Sequence, residues 1–327
     1  MEKSVLLRAD AYAEIGYGHF IRTLSLAEML AGQFKCIFAT QTPTPYQKEE
    51  VAKVCDLMPL PSGNEKMSTF LDVIRKDDIV VLDNYFFDES YERAIRDKGA
   101  KVVLIDNLHQ RHSAADVIIG FAPGLDKNAY SVEPYTKLYL GTEYTLLRKP
   151  FVEQIGIEHS PIGDYSKLKV VISMGGADKY GISDNLVKKI APSKVVEKVT
   201  VICGDSAHLE KSPFCNVVYL GRQSATEMRN LFVDNDVAIL PASTTTIEAI
   251  SCGIPVIGGY YVSNQHYYYQ QCVKNHAIKG FGDLRDNDSI LSIKDFMENG
   301  NLARFPYNHS IIPKSLKENI QKIFYDI

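Results

Sequence analysis

The chain has 327 residues, 45% hydrophobic and 23% charged, a globular composition that excludes long disordered stretches. That length exceeds most single cores, so two domains are expected. A net charge of −4 supplies no general basic field for a nucleic-acid backbone, which makes a small ligand the expected partner.

Short apolar or β-branched runs alternate with amphipathic stretches, the pattern of parallel sheets covered by helices. In the first half the strands are expected at residues 4–8, 34–40, 79–82, 101–105 and 117–119. The clearest helix is 20–30, where Ile21, Leu24, Ala27 and Leu30 recur at helical spacing before Gly32. A polar Gly- and Pro-containing stretch, 151–166, reads as a linker. It divides an N-terminal Rossmann-like domain (1–150) from a C-terminal one (167–327). The second series has strands at 168–173, 198–202, 217–220, 237–240 and 255–257, with helices at 183–190 and 225–231. The tail from Ser315 to Tyr325 is expected to be a helix that returns across the domain junction. The fold class is therefore α/β, two Rossmann-like domains facing a cleft.

The six cysteines lack C-x-x-C spacing and read as reduced thiols. The chain enters an apolar strand at once and carries no run long enough to span a bilayer, so the cytoplasm is expected. The eight histidines show no H-x-x-x-H or H-E-x-x-H spacing, so no metal and no cofactor is expected. A monomer is expected.

In parallel sheets, ligands collect where strand carboxyl ends meet helix N-termini, and five motifs fall at such places. The first is Arg8-Ala-Asp10 followed by Gly16-Tyr17-Gly18-His19 and Arg22. Its glycines allow close backbone approach and put His19 in a first helical turn, where the helix dipole favours a neutral ring able to accept a proton. The second is Asp83-Asn84-Tyr85 after a strand, able to orient a hydroxyl or a water, or simply to form a turn. The third, Met174-Gly175-Gly176-Ala177-Asp178, is expected to turn main-chain N–H groups toward a diphosphate at the next helix. The fourth is Ser243-Thr244-Thr245-Thr246-Ile247-Glu248. Here hydroxyls open a helix and Glu248, expected in its first turn, can accept from both ribose hydroxyls, although Thr245-x-x-Glu248 is equally a capping box. The fifth is Ser263-Asn264-Gln265-His266, whose amides can bind sugar substituents.

In order and spacing, R-x-D, G-x-G-H-x-x-R, D-x-Y, MGG-x-D, S-x-T-x-x-EA and NQ, with Tyr144-Thr-Leu-Leu-Arg148, resemble the UDP-2,4-diacetamido-2,4,6-trideoxy-β-L-altropyranose hydrolase family of pseudaminic acid biosynthesis. The resemblance implies a glycosyltransferase B-type fold and metal-independent, inverting hydrolysis of a UDP-sugar. It carries the catalytic histidine onto His19, the cleft tyrosine onto Tyr85, the ribose-binding glutamate onto Glu248 and the sugar-contacting asparagine onto Asn264. Asp10, Gly16, Gly18, Arg22, Asp83, Arg148, Met174, Gly175, Gly176, Ser243, Thr244, Thr245 and Gln265 complete the substrate-binding expectation. The chain departs from the family at Asp106-Asn107, where a second Asp is frequent, and at Gly120-Phe-Ala-Pro123-Gly124. A glycosyltransferase of the same fold, an epimerase-like enzyme and a non-catalytic UDP-sugar-binding protein are the competing readings.

Overall fold

The computed structural model describes residues 4–12, 16–158, 162–175, 178, 180–203, 214–308 and 310–327. They fall into two compact units, Met1–Lys149 with Ser315–Ile327, and Pro150–Lys314.

The first unit runs β1 (Ser4–Arg8), α1 (Gly18–Leu30), β2 (Lys35–Gln41), α2 (Pro45–Ala52), β3 (Asp56–Leu60), α3 (Glu65–Val73), β4 (Ile79–Leu82), α4 (Glu89–Asp97), β5 (Lys101–Ile105), β6 (Val117–Gly120) and β7 (Lys137–Leu140). The short α5 (Lys149–Val152) leads out of it. Its seven strands lie in the order β3-β2-β1-β4-β5-β6-β7, all parallel. The order reverses between β1 and β4, and their carboxyl ends form the crevice in which such sheets hold ligands. Continuous burial of β1 and β4 explains why they read as uninterrupted apolar runs. Leu6, Val80, Leu82 and Leu104 pack there with Phe70 of α3, Ile95 of α4 and Phe87 of the loop before α4, each large apolar side chain contributing about 1.5–3 kcal/mol.

The second unit runs β8 (Leu168–Ser173), α6 (Ile182–Ile190), β9 (Val196–Ile202), β10 (Val217–Leu220), α7 (Ala225–Asp234), β11 (Val237–Pro241), α8 (Thr244–Ser251), β12 (Val256–Tyr260), α9 (Ser263–Lys274), β13 (Lys279–Asp283) and α10 (Asn287–Glu298). Its order, β10-β9-β8-β11-β12-β13, again reverses once, between β8 and β11. Val170, Ile172, Val199 and Ile239 pack with Leu186 of α6 and Ile290 and Ile293 of α10. Two close approaches demand glycine: a Cβ on Gly258 would stand 1.8 Å from the Leu240 carbonyl oxygen, and one on Gly259 1.9 Å from that of Gly282.

The final helix, α11 (Leu316–Tyr325), packs on the first unit. Gln321 Nε2 donates to the Met29 carbonyl at 2.8 Å, Asn319 Nδ2 to that of Glu143 at 3.3 Å, and Phe324 meets Phe34 edge-on. The segment expected as a polar linker begins inside α5, where Phe151 is fully buried beside Phe232 of the second unit. Three strands absent from the sequence reading, β3, β7 and β13, are all sheet edges. Among the described residues, no helix is long and apolar enough to cross a membrane.

Candidate functional site

In the first unit the site grows from α1. His19, Arg22 and Thr23 stand at i, i+3 and i+4, so they share one face of the helix, and that face meets the residue that follows β4. His19 Nδ1 lies 2.7 Å from Asp83 Oδ1. Arg22 Nε donates to Asp83 Oδ2 at 2.6 Å, its Nη2 donates to Oδ1, and Thr23 Oγ1 donates to Oδ2 at 2.7 Å. Asp83 is fully buried, and both its oxygens are engaged by protein donors. Burial alone would push its carboxyl up, but the charges and hydrogen bonds of Arg22 and His19 outweigh that and hold it well below the ordinary carboxylate range.

The same geometry chooses the histidine tautomer. With the proton on Nε2, lone pairs of Nδ1 and a carboxylate oxygen would face each other at 2.7 Å; with it on Nδ1 the contact is a charge-assisted hydrogen bond. Arg22 Nη2 lies 2.9 Å from Nδ1 and donates to Asp83 Oδ1. Nε2 is left to accept a proton. Tyr85, 55% exposed, sets its ring edge-on to the imidazole at 4.7 Å. No side chain caps α1, and its first turn holds no acid.

A second buried cluster braces the first. Asp10 receives Arg8 in a two-pronged ion pair, the Gln41 N–H at 2.8 Å and Lys66 Nζ at 3.0 Å. Desolvation opposes its charge, yet Arg8, Gln41 and Lys66 together keep its carboxyl below the usual value. Asn84 ties the two clusters: its Oδ1 accepts from the Asp10 N–H at 2.7 Å, and its Nδ2 donates to the Asp10 carbonyl at 3.2 Å. Arg22 also lies over the Phe121 ring, its Cζ 5.4 Å from the centroid. Asn107 Oδ1 accepts from the Phe121 and Ala122 N–H groups, so the amide at this position fastens the turn after β5 to the one after β6.

The structure thus brings together His19, Arg22, Asp83 and Tyr85, with Asp10 one shell away. Gly16 takes a left-handed φ of +78° before the helix, and Gly18 is its first residue. Arg148 lies in the segment entering α5. Thr23 and Lys66 were missed in the sequence. Thr23 was recoverable from its helical spacing to His19, whereas Lys66 arrives from α3 with no local signal.

In the second unit, Gly175 follows β8 at φ +85°, and Tyr261 donates its hydroxyl to the Met174 carbonyl at 2.8 Å. Gly176 lies outside the described residues. The N-terminus of α6 is not open as expected: Asp178 accepts from the Ile182 N–H at 2.9 Å and the Ser183 N–H at 2.6 Å, placing a carboxylate at its positive end. The opening of α8 is built differently. Ser243 is its cap, Thr244 and Thr245 are its first two residues, and Thr246 donates to the Pro241 carbonyl at 2.6 Å while accepting from the Ser243 N–H. The capping box therefore joins Ser243 to Thr246 rather than Thr245 to Glu248. Glu248 is the fifth helical residue, not in the first turn, and is buried. Asn264 is exposed near the start of α9, while Gln265 Oε1 accepts from the Tyr261 N–H at 3.0 Å.

Three side chains elsewhere, Glu89, His112 and Glu133, come within reach of one cation. Arg93 bonds both glutamates and supplies that positive charge itself.

The chain matches no protein-family model. It is 23% identical over 298 residues to the uncharacterized protein MJ1062 of Methanocaldococcus jannaschii, covering 86% of this chain and 60% of that protein; the chain thus spans well under two thirds of that relative. It is 21% identical over 276 residues to the UDP-2,4-diacetamido-2,4,6-trideoxy-β-L-altropyranose hydrolase of Campylobacter jejuni, covering 80% of this chain and 93% of the hydrolase. Among solved structures, Anabaena Alr3699/HepE in complex with UDP-glucose aligns at a TM-score of 0.61 and 11% identity, covering 99% of this chain and 100% of that one. Acinetobacter baumannii MurG aligns at 0.55 and 13%, covering 98% and 95%. With these neighbours and its two parallel sheets, the chain has the fold of two Rossmann-like domains, the glycosyltransferase B-type.

Proposed function

We propose that the protein binds a UDP-linked 2,4-diacetamido-2,4,6-trideoxyhexose and hydrolyses it at the anomeric carbon, releasing UDP and the free sugar. The observation that carries this reading is the His19–Asp83 pair, clamped by Arg22 and Thr23, which leaves Nε2 available as a base beside an exposed tyrosine. The similarity to the Campylobacter hydrolase supports the choice of water as nucleophile, and the HepE complex supports a UDP-sugar ligand.

In this mechanism His19 Nε2 removes a proton from water as its oxygen bonds to C1. The bond from C1 to the diphosphate oxygen breaks, and UDP leaves with the electron pair. Asp83 holds the ring and stabilises the imidazolium. Tyr85 borders the reacting centre. The Thr244 and Thr245 N–H groups, which open α8 before its first intrahelical bond, meet the diphosphate together with the hydroxyls of Ser243, Thr244 and Thr245 and the Met174–Gly175 main chain, and Glu248 takes the ribose hydroxyls. Asn264 contacts the sugar. Asp10 acts by bracing the loop after β1, and the protein works without a metal.

The test is UDP release from the diacetamido UDP-sugar with no acceptor present, with proton NMR of the product to read inversion at C1. His19→Ala is expected to lower the rate about 10²–10⁴-fold while the protein stays folded. Parental turnover in that variant removes His19 from the role. UDP release that appears only when an acceptor hydroxyl is added makes the protein a transferase instead.

A further inference from the structure

The two places where the chain departs from the family pattern it resembles, 106–107 and 120–124, are joined in the structure, and the joint leads to His19. Both lie at strand carboxyl ends, one at β5 and one at β6. Asp106 keeps to its own turn: its oxygens accept from the Leu108 N–H at 2.7 Å and the His109 N–H at 3.0 Å. Asn107 reaches across. Its Oδ1 accepts from the Phe121 N–H at 2.7 Å and the Ala122 N–H at 3.1 Å, and two donors on one oxygen fix both the amide and the turn it holds. Gly120 lets the two turns close, since a Cβ there would stand 2.9 Å from the Asp106 carbonyl oxygen and 2.7 Å from Leu125 Cδ1.

What this joint fixes is the Phe121 ring. The residue is 5% exposed, and the Arg22 guanidinium carbon lies 5.4 Å from the ring centroid, within cation–π range. Arg22 is nearly closed off as well, with 12% of its side chain exposed, and a desolvated cation gains more from a ring face than an exposed one does. One edge of the guanidinium, Nε and Nη2, is committed to Asp83, and Asp83 is the group that orients His19. An arginine held by one edge alone can pivot about it. The Phe121 ring limits that pivot, and Asp106, with its oxygens spent on its own turn, does not compete for the guanidinium.

We infer that Phe121, held in place by Asn107, is a positioning residue for His19: its ring keeps Arg22 on Asp83, and Asp83 keeps the imidazole at its angle. The inference rests on the proposed function only for its effect on rate. The chain of contacts from Asn107 through Phe121 and Arg22 to Asp83 and His19 can be tested with no substrate present.

The test is hydrogen exchange at the Arg22 Nε–H of the full-length, ¹⁵N-labelled protein, the signal being identified by its loss in Arg22→Lys. Phe121→Leu removes the ring face at similar volume, and Asn107→Ala removes the acceptor that holds the ring. Each is expected to speed that exchange about tenfold while the backbone amides of β1 and β4 exchange as in the parent. Phe121→Tyr keeps the face and is expected to keep the parental exchange. UDP release from the diacetamido UDP-sugar should fall in the first two variants by up to about 10²-fold in kcat, with KM little changed, and recover in Phe121→Tyr. Parental exchange at Arg22 in both of the first two variants overturns the inference. So does faster exchange with an unchanged kcat, or faster exchange that spreads equally to β1 and β4, which is loss of stability alone. If the parent protein itself releases no UDP, the proposed function fails and the exchange rates alone decide whether Phe121 positions Arg22.

Discussion

At the crevice of the first unit, Asp10 and Asp83 are fully buried among Arg8, Arg22 and Lys66. At the matching reversal in the second unit, between β8 and β11, the chain presents Gly175 and a run of hydroxyls opening α8. The first unit fixes side chains against one another, and so can hold an imidazole at a set angle. The second leaves main-chain N–H groups at a helix start, which suit an anion without needing a buried counter-charge. Under the proposed function, two sheets with the same reversal divide positioning from anion binding, one through paired charges and the other through backbone.

The sharpest way to break this contrast is to remove one charge. Asp83→Ala leaves the Arg22 guanidinium without its carboxylate and is expected to cost about 3–5 kcal/mol of stability, read by urea unfolding. A loss no larger than that of a hydroxyl deletion in the second unit would erase the distinction. Acid should separate the two crevices next. Asp10 and Asp83 are both depressed in the folded state, so below about pH 4, the unfolded aspartate value, the unfolded chain binds more protons. Their stabilisation is complete above that pH and is lost as pH falls through the depressed folded values. Thermal unfolding followed from pH 7 to pH 2 should show this decline, and Asp10→Asn should flatten it. The smallest effect is expected from Thr246→Val, which removes the bonds to Pro241 and Ser243 and should cost about 1–2 kcal/mol by urea unfolding, with no change in the acid response.

Much of this was legible in the residues. Strands β1, β4, β5 and β8 run as expected from the sequence, since interior strands of a parallel sheet are apolar on both faces; the edge strand β10 was also found, through its apolar run Val-Val-Tyr-Leu. The strands that escaped notice lie at edges, where one side meets solvent: β3 carries Pro59, and β13 reads Lys-Gly-Phe-Gly-Asp. The site divided in the same way. His19, Arg22 and Asp83 were visible as polar residues at strand and helix ends, but nothing local says that Asp83 spends both oxygens inside the protein. Nor does the sequence say that Asp178 would cap α6, since a glycine turn followed by an acid serves a ligand or a helix equally well. Lys66 reaches Asp10 across 56 positions of chain, beyond any periodic signal.

The return of α11 to the first unit bears on how the molecule is made. Residues 150–314 all precede Gln321 and Phe324 in the chain, so the first unit receives its closing helix only after the whole of the second has been synthesised. A nascent chain stalled at Lys314 would hold the Met29 carbonyl and the Phe34 ring uncovered. Cutting the gene at the midpoint would give one fragment that lacks its closing piece and another that carries it to no purpose.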